Sequence, residues 1–242
     1  MDRSAGLLRL SRRLDTTHHV VRYDRRGYGR SRGVGPPWTV EANIDDLLDV
    51  LGSLAGADAV EPPPAVLVGH SFGGNVALGA AARRPDLVLG VVVYEMPLSW
   101  LDWWPGSSAG AAAMGVDDPG DAAEAFMRRL VGDTVWERLP PAKRAERRGE
   151  GAAMVAELAD LRRRAPWTGE QIDTPVLALF GEYARPHHRT AMEAMGDLIA
   201  GCATAMVPGA GHAGPHTHPD AVAASITPFL ATLGAGSAAS AG

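Results

Sequence analysis

The chain has 242 residues, of which 46% are apolar and 21% charged, and its formal net charge is −5. This length suits one domain with an inserted segment, and the acidic balance excludes the basic field that a nucleic acid or an anionic membrane surface would need. Cys202 is the single cysteine and cannot form an intrachain disulfide, and no apolar run reaches the roughly 18 residues of a membrane-spanning helix, so we expect a cytoplasmic protein.

Apolar runs of strand length alternate with helical patterns from residue 18 onward. This alternation predicts an α/β fold, in which a mostly parallel sheet carries helices on both faces. The predicted strands are 19–24, 65–69, 88–95, 175–181 and 203–207. The predicted helices are an amphipathic one at 7–14, then 39–54, 72–83, 189–200 and 221–233.

The pattern changes between the third and fourth of these strands. Residues 97–169 are rich in Trp, Arg and Ala and contain no strand-like run, which predicts an inserted helical lid. The core would then consist of 1–96 and 170–233. The Gly-, Ser- and Ala-rich segment 234–242 is predicted to be a disordered tail.

A nucleophile motif lies between the second predicted strand and the helix that follows it. Gly69-His70-Ser71-Phe72-Gly73 fits G-x-S-x-G in the strand-turn-helix context that this motif requires. The turn would hold Ser71 at the helix N-terminus, where the Phe72 amide and the helix dipole can stabilise an oxyanion. The alternative is a helix-capping serine in a glycine-rich turn.

A histidine in a second glycine-rich loop is the candidate base. Residues 209–212 read Gly-Ala-Gly-His and follow the last predicted strand, so His212 comes after the serine in chain order. His216 and His218 raise the alternative of a metal site with His212. Prolines interrupt any helix that would align the three, and no cysteine or paired carboxylate completes a set, so we expect neither metal nor other cofactor.

Together, the segments 23–31, 69–74 and 209–212 resemble the α/β-hydrolase superfamily, and the resemblance covers nearly the whole chain. It implies a three-layer α/β-hydrolase fold with a lid, and a catalytic triad that transfers an acyl group. A serine at the nucleophile position disfavours the branches of the family that use aspartate there.

The resemblance also implies an acid that orients the histidine. The family's usual aspartate position, after the strand 175–181, is occupied by Ala184. Some members take the acid from the end of the preceding strand, where this chain has Glu95, and we expect Glu95 to orient His212. Glu182 is the competing candidate, and a structural pairing of Glu95 with a lid arginine is the alternative role.

The resemblance further implies three strands and a His-Gly loop before the strand 19–24. No segment before residue 18 fits them, so we expect that N-terminal strands are missing and that Met1 is a misassigned start. Loss of one oxyanion donor costs roughly 3 kcal/mol of transition-state stabilisation, which makes the activity of the chain as given doubtful.

The predicted function is that of a serine hydrolase acting through an acyl-enzyme on an ester or related acyl bond. Trp100, Trp103 and Trp104 at the start of the lid could bind a small, largely apolar substrate, or could pack the lid against the core. The alternative function is a non-catalytic or degenerate protein of the same fold that binds an apolar ligand. Exposed sheet edges would favour homo-oligomers. His187 and His188 are interpreted as surface residues.

Overall fold

The computed structural model describes residues 4–55 and 61–239, without the side chains of 234–239. Its strands form one parallel sheet in the order β1-β2-β3-β4. Their bounds are β1 (Ala65–His70), β2 (Val88–Tyr94), β3 (Val176–Gly181) and β4 (Ala203–Val207). The predicted α/β class is therefore confirmed, together with four of the five predicted strands.

Twelve α-helices accompany the sheet in the described part of the chain. They are α1 (Leu8–Leu14), α2 (Val40–Gly52), α3 (Phe72–Arg83), α4 (Ala109–Met114), α5 (Pro119–Val131), α6 (Asp133–Arg138), α7 (Pro141–Arg148), α8 (Gly151–Arg163), α9 (Pro186–Glu193), α10 (Met195–Leu198), α11 (Gly214–Thr217) and α12 (Pro219–Ala239). No helix among the described residues is both long enough and apolar enough to cross a bilayer.

The sheet belongs to a compact unit formed by the described residues of Ser4–Tyr23, Ile44–Pro97 and Pro166–Gly242. Val92 of β2 packs in a core cluster with Leu10 of α1 and Ile226 of α12. The alternate residues Val91 and Val93 point to the opposite face and are also fully buried. A strand covered on both faces has to be apolar throughout, which explains the continuous Val-rich run of β2.

The second compact unit is helical and contains Asp24–Asn43 and Leu98–Ala165. Tyr28 and Met154 lie in its apolar core with alanines of α4, α5 and α8. A buried ion pair joins Arg25 to Glu157 of α8 at 2.5 Å. The lid predicted at 97–169 stays a prediction, and its helices form this unit together with 24–43.

The strand predicted at 19–24 is wrong, because this segment forms no ladder with any described strand. Its apolar pattern has another cause: Val20 packs against the core cluster of the sheet unit, while Val21 is 44% exposed. A strand is defined by a hydrogen-bonded neighbour, and a single sequence does not show whether that neighbour is present. The proposal of missing N-terminal strands and of a misassigned Met1 stays a prediction.

The C-terminal helix α12 is longer than expected. Its backbone continues to Ala239, beyond the predicted end at 233. The remainder of the predicted disordered tail, 240–242, lies outside the described residues.

Candidate active site

Three predicted site residues leave the sheet at the same edge. Because β1 to β4 are parallel and paired in register at their carboxyl ends, the loops that follow them start side by side. Ser71 follows β1 directly, Glu95 follows β2 directly, and His212 lies in the loop after β4. This edge is where parallel α/β sheets bind their ligands.

Ser71 has a strained backbone at the turn from β1 into α3. Its φ of 52° and ψ of −128° lie outside the regions that side chains favour, at a typical cost of about 1–3 kcal/mol. Two hydrogen bonds hold it there: its N–H donates to the Tyr94 carbonyl at 2.9 Å, and its carbonyl accepts from the Gly74 N–H at 2.9 Å. The side chain makes no capping bond to α3, which argues against the helix-capping alternative.

The glycines of the motif have a steric reason. A Cβ on Gly69 would lie 2.5 Å from the Gly73 carbonyl oxygen and 2.5 Å from the Gly74 Cα. A Cβ on Gly74 would lie 3.0 Å from the side chain of Met96. The backbone can therefore fold back on itself around Ser71 only where these side chains are absent.

Glu95 is fully buried, and its φ is 45°; among the described residues, only Ser71 and Glu95 are non-glycine residues with positive φ. The N–H of Glu95 donates to the Leu179 carbonyl at 2.9 Å. Its Oε1 accepts from the Gly181 N–H at 3.0 Å, and its Oε2 lies 2.8 Å from Nδ1 of His212. The carboxylate thus bonds to the backbone of β3 and to the imidazole, and it pairs with no arginine among the residues that the structure describes.

The loop of His212 is anchored to the ends of β1 and β2. The His212 carbonyl lies 2.8 Å from Nε2 of His70, and the Tyr94 hydroxyl donates to the Gly211 carbonyl at 2.8 Å. Burial, and secondarily the adjacent charge of Glu95, raises the pKa of the Tyr94 hydroxyl above its ordinary value, so it remains a donor. A carboxylate only accepts, so Nδ1 of His212 carries the proton and Nε2 is left as the basic nitrogen.

Glu182, the competing acid, has a different partner. Its side chain is exposed, and its Oε2 accepts from the Gly209 N–H at 2.8 Å. Gly209 has a φ of 69° and turns the chain at the start of the His212 loop. Glu182 therefore bonds to the backbone that leads to His212, whereas Glu95 bonds to the imidazole itself.

The interpretation of His188 as a surface residue is wrong. It lies in the first turn of α9 and is only 8% exposed, and its ring stacks on that of His212 with centroids 4.6 Å apart and planes 24° apart. Burial, followed by the neighbouring His212, lowers the pKa of His188 far below its ordinary value, so the ring is neutral. His187 is half-buried, and burial likewise lowers its pKa.

The sequence carried one usable signal for His188: a Pro-His-His stretch follows β3 closely, so the ring starts from the same sheet edge. The alternative metal site would combine His212 with His216 and His218, but both of these residues are exposed. Among the described residues, the group of potential metal ligands around the site consists of Glu95, His188 and His212.

The remaining predicted site residues fall in two places. Phe72 is the first residue of α3, directly after Ser71, and is largely buried. Trp100, Trp103 and Trp104 belong to the helical unit, where Trp103 is 44% exposed and its ring centroid lies 5.8 Å from that of Trp104. Their substrate-binding role stays a prediction.

Comparisons with known proteins bear on the family of this chain. The sequence model described as the alpha/beta hydrolase family matches residues 3–225. Lipase LipV of Mycobacterium tuberculosis is 36% identical over 118 residues, which is 49% of this chain and 41% of the lipase, so the chain spans less than half of that relative. A pimeloyl-(acyl-carrier protein) methyl ester esterase of Stenotrophomonas maltophilia is 29% identical over 237 residues, 90% of this chain and 83% of the esterase.

A solved structure gives the same fold. The malate-bound thermophilic esterase from Thermogutta terrifontis superimposes with a TM-score of 0.73 at 24% identity, over 96% of this chain and 86% of the esterase. At this identity the likeness concerns the fold alone.

Proposed function

Because this chain belongs to the alpha/beta hydrolase family, we propose that it is a serine hydrolase that cleaves an ester or related acyl bond of a small, largely apolar substrate. The observation that carries the proposal is the pairing, at one sheet edge, of a strained Ser71 with a buried Glu95–His212 hydrogen bond of 2.8 Å. Strained residues and buried charge pairs are costly, and they persist together where chemistry needs them.

The reaction begins with the transfer of a proton from the hydroxyl of Ser71 to Nε2 of His212, while Oγ attacks the acyl carbon. Glu95 holds the imidazole in the tautomer that leaves Nε2 unprotonated, and it stabilises the imidazolium that forms. The imidazolium then gives its proton to the leaving alcohol, which departs and leaves an acyl-enzyme on Ser71. A water molecule activated by His212 releases the acid in the second half-reaction.

The oxyanion of each tetrahedral intermediate would form beside the N-terminus of α3. The amide of Phe72 is the donor we assign to it, and the helix dipole of this 12-residue helix adds positive potential at the same end. This chemistry uses side chains and backbone amides, and it requires no cofactor.

The proposed substrate class follows from the surroundings of the nucleophile and from the relatives. Phe72, which is 9% exposed, places an aromatic ring next in sequence to Ser71, and such a ring favours apolar acyl groups. The relatives named above are a lipase and a methyl ester esterase. We therefore expect short-chain aryl and alkyl esters to serve as test substrates.

A fluorophosphonate probe tests the nucleophile directly. Intact mass spectrometry should show one adduct, peptide mapping should place it on Ser71, and a Ser71→Ala variant should remain unlabelled. A folded wild-type protein that stays unlabelled, and that hydrolyses no p-nitrophenyl ester, would refute the proposal and would leave a non-catalytic ligand-binding protein.

A further inference from the structure

Three metal-binding side chains converge at the base of the candidate triad. The potential ligand atoms of Glu95, His188 and His212 all lie within 4.8 Å of one another. Glu95 and His188 are buried, and the side chain of His212 is 17% exposed. Each of the three is fixed by a different segment: the end of β2, the first turn of α9 and the loop after β4.

Two imidazoles and one carboxylate form a donor set that suits zinc and similar transition metal ions, whereas magnesium and calcium prefer oxygen ligands. Ligand atoms of a tetrahedral zinc ion lie about 3.4 Å apart at bond lengths of about 2.0–2.1 Å, so the cluster has to contract by up to about 1.4 Å. The stacked rings of His188 and His212 also have to tilt until both lone pairs aim at one ion. The carboxylate of Glu95, which is buried beside both rings, would offset part of the charge of the ion. A tetrahedral ion would keep a fourth position for water.

We propose that Glu95, His188 and His212 form a binding site for a zinc-class divalent ion, and that the bound ion inhibits hydrolysis. Binding is independent of the proposed function, whereas inhibition rests on it. In the proposed triad His212 serves as the base, whereas His188 packs against the His212 ring and is not assigned a step of the proton transfer.

The bound ion should inhibit hydrolysis whether it coordinates Nδ1 or Nε2 of His212. Coordination through Nδ1 moves its proton to Nε2, which then faces the nucleophile as a donor and can no longer accept a proton. Coordination through Nε2 occupies the lone pair that the reaction needs. In both arrangements Glu95 is shared with the ion, and the base function of His212 is lost.

Metal binding is measured first, without reference to activity. The full chain is treated with chelator and desalted, Co²⁺ is titrated while the visible absorption is followed, and Zn²⁺ is titrated by calorimetry. We expect one ion per chain, d–d bands typical of a four-coordinate site, and no comparable binding of Mg²⁺. His188→Ala should weaken Zn²⁺ binding about 100-fold or more, because loss of even an outer partner of a metal ligand costs 10–100-fold.

Two further variants show whether the loss of Zn²⁺ binding is specific to the donor atom of His188. His188→Phe retains a ring against His212 but has no donor atom, so it should be as weak as His188→Ala while circular dichroism reports a native fold. His216→Ala removes an exposed histidine outside the cluster and should bind Zn²⁺ as the wild type does. Unchanged Zn²⁺ affinity in both His188 variants would overturn the proposed site.

Hydrolysis of p-nitrophenyl butyrate with increasing Zn²⁺ supplies the second readout. The wild type should lose activity with the midpoint that calorimetry gives, and chelator should restore it. Zn²⁺ bound at full occupancy without loss of activity would overturn the inhibitory role. A protein that binds Zn²⁺ through His188 but hydrolyses no ester would leave the metal site standing and refute the proposed function instead.

Discussion

Replacing Glu95 with glutamine tests the orienting role at a single atom. The carboxylate accepts two hydrogen bonds, from the Gly181 N–H at 3.0 Å and from Nδ1 of His212 at 2.8 Å. A glutamine has only one oxygen for these two donors. If the glutamine turned its NH₂ group toward Gly181, that group and the Gly181 N–H would be two buried donors facing each other, at a cost of about 1–3 kcal/mol. The oxygen therefore turns to Gly181, and the NH₂ group faces His212.

That arrangement inverts the tautomer of the base. Nδ1 of His212 has to accept from the new amide, so the proton moves to Nε2 and the imidazole can no longer deprotonate Ser71. The loss of the correct tautomer in serine triads lowers kcat about 10⁴-fold. This corresponds to about 5.5 kcal/mol of transition-state stabilisation, at 1.36 kcal/mol for each factor of ten.

The assay is steady-state hydrolysis of p-nitrophenyl butyrate, with circular dichroism and thermal unfolding as checks on the fold. Glu182→Gln is the matched control: its amide oxygen can still accept from the Gly209 N–H, so kcat should stay within about threefold of the wild type. A folded Glu95→Gln enzyme that keeps more than a tenth of the wild-type kcat would refute the tautomer argument, and a selective loss in Glu182→Gln would move the acid to that residue.

Three further predictions concern steric fit, buried charge and thiol reactivity. Gly69→Ala should lower the free energy of unfolding by about 1–3 kcal/mol and reduce activity, because its Cβ would lie 2.5 Å from backbone atoms of the nucleophile turn; denaturant unfolding measures the first effect. Glu157→Gln should lower the free energy of unfolding by about 3–5 kcal/mol, since it removes the negative charge that lies 2.5 Å from the buried Arg25 guanidinium, and a melting temperature equal to that of the wild type would contradict this. Burial raises the pKa of Cys202 to about 11 from 9.0, so below pH 9 its thiolate fraction is about 100-fold lower than that of an ordinary thiol; alkylation by iodoacetamide should be slow at pH 8 and should accelerate as the pH rises toward 11.

Much of this architecture could be predicted from local sequence. Long apolar runs such as β2 have one stable environment, the interior of a parallel sheet, and the glycines around Ser71 mark a turn that excludes side chains. Because parallel strands end at one edge, strand positions alone predicted that Glu95 and His212 start from the same place. The structure adds that their side chains meet at 2.8 Å.

The failures share a different cause, which is dependence on neighbours distant in sequence. Residues 19–24 have the composition of a strand, but a ladder requires a partner that a single sequence does not reveal. His188 is polar and lies beside another histidine, a pattern typical of a solvated surface. Its ring stacks on that of His212, 24 residues further along the chain; the position after β3 indicates the sheet edge but not this contact.

Two acidic residues hold the loop of His212, although Ala184 occupies the position where the family resemblance implies an acid. The N–H of Gly181, at the end of β3, donates to Glu95, so β3 helps to hold the carboxylate that we propose as the orienting acid. Glu182 fixes the backbone of the His212 loop through Gly209, while Glu95 fixes the imidazole. Loop position and ring tautomer are thus controlled by different carboxylates. This division explains why exchanging one carboxylate for an amide should be nearly silent at Glu182 and severe at Glu95: a backbone N–H accepts any oxygen as its partner, whereas the ring requires a partner that cannot donate.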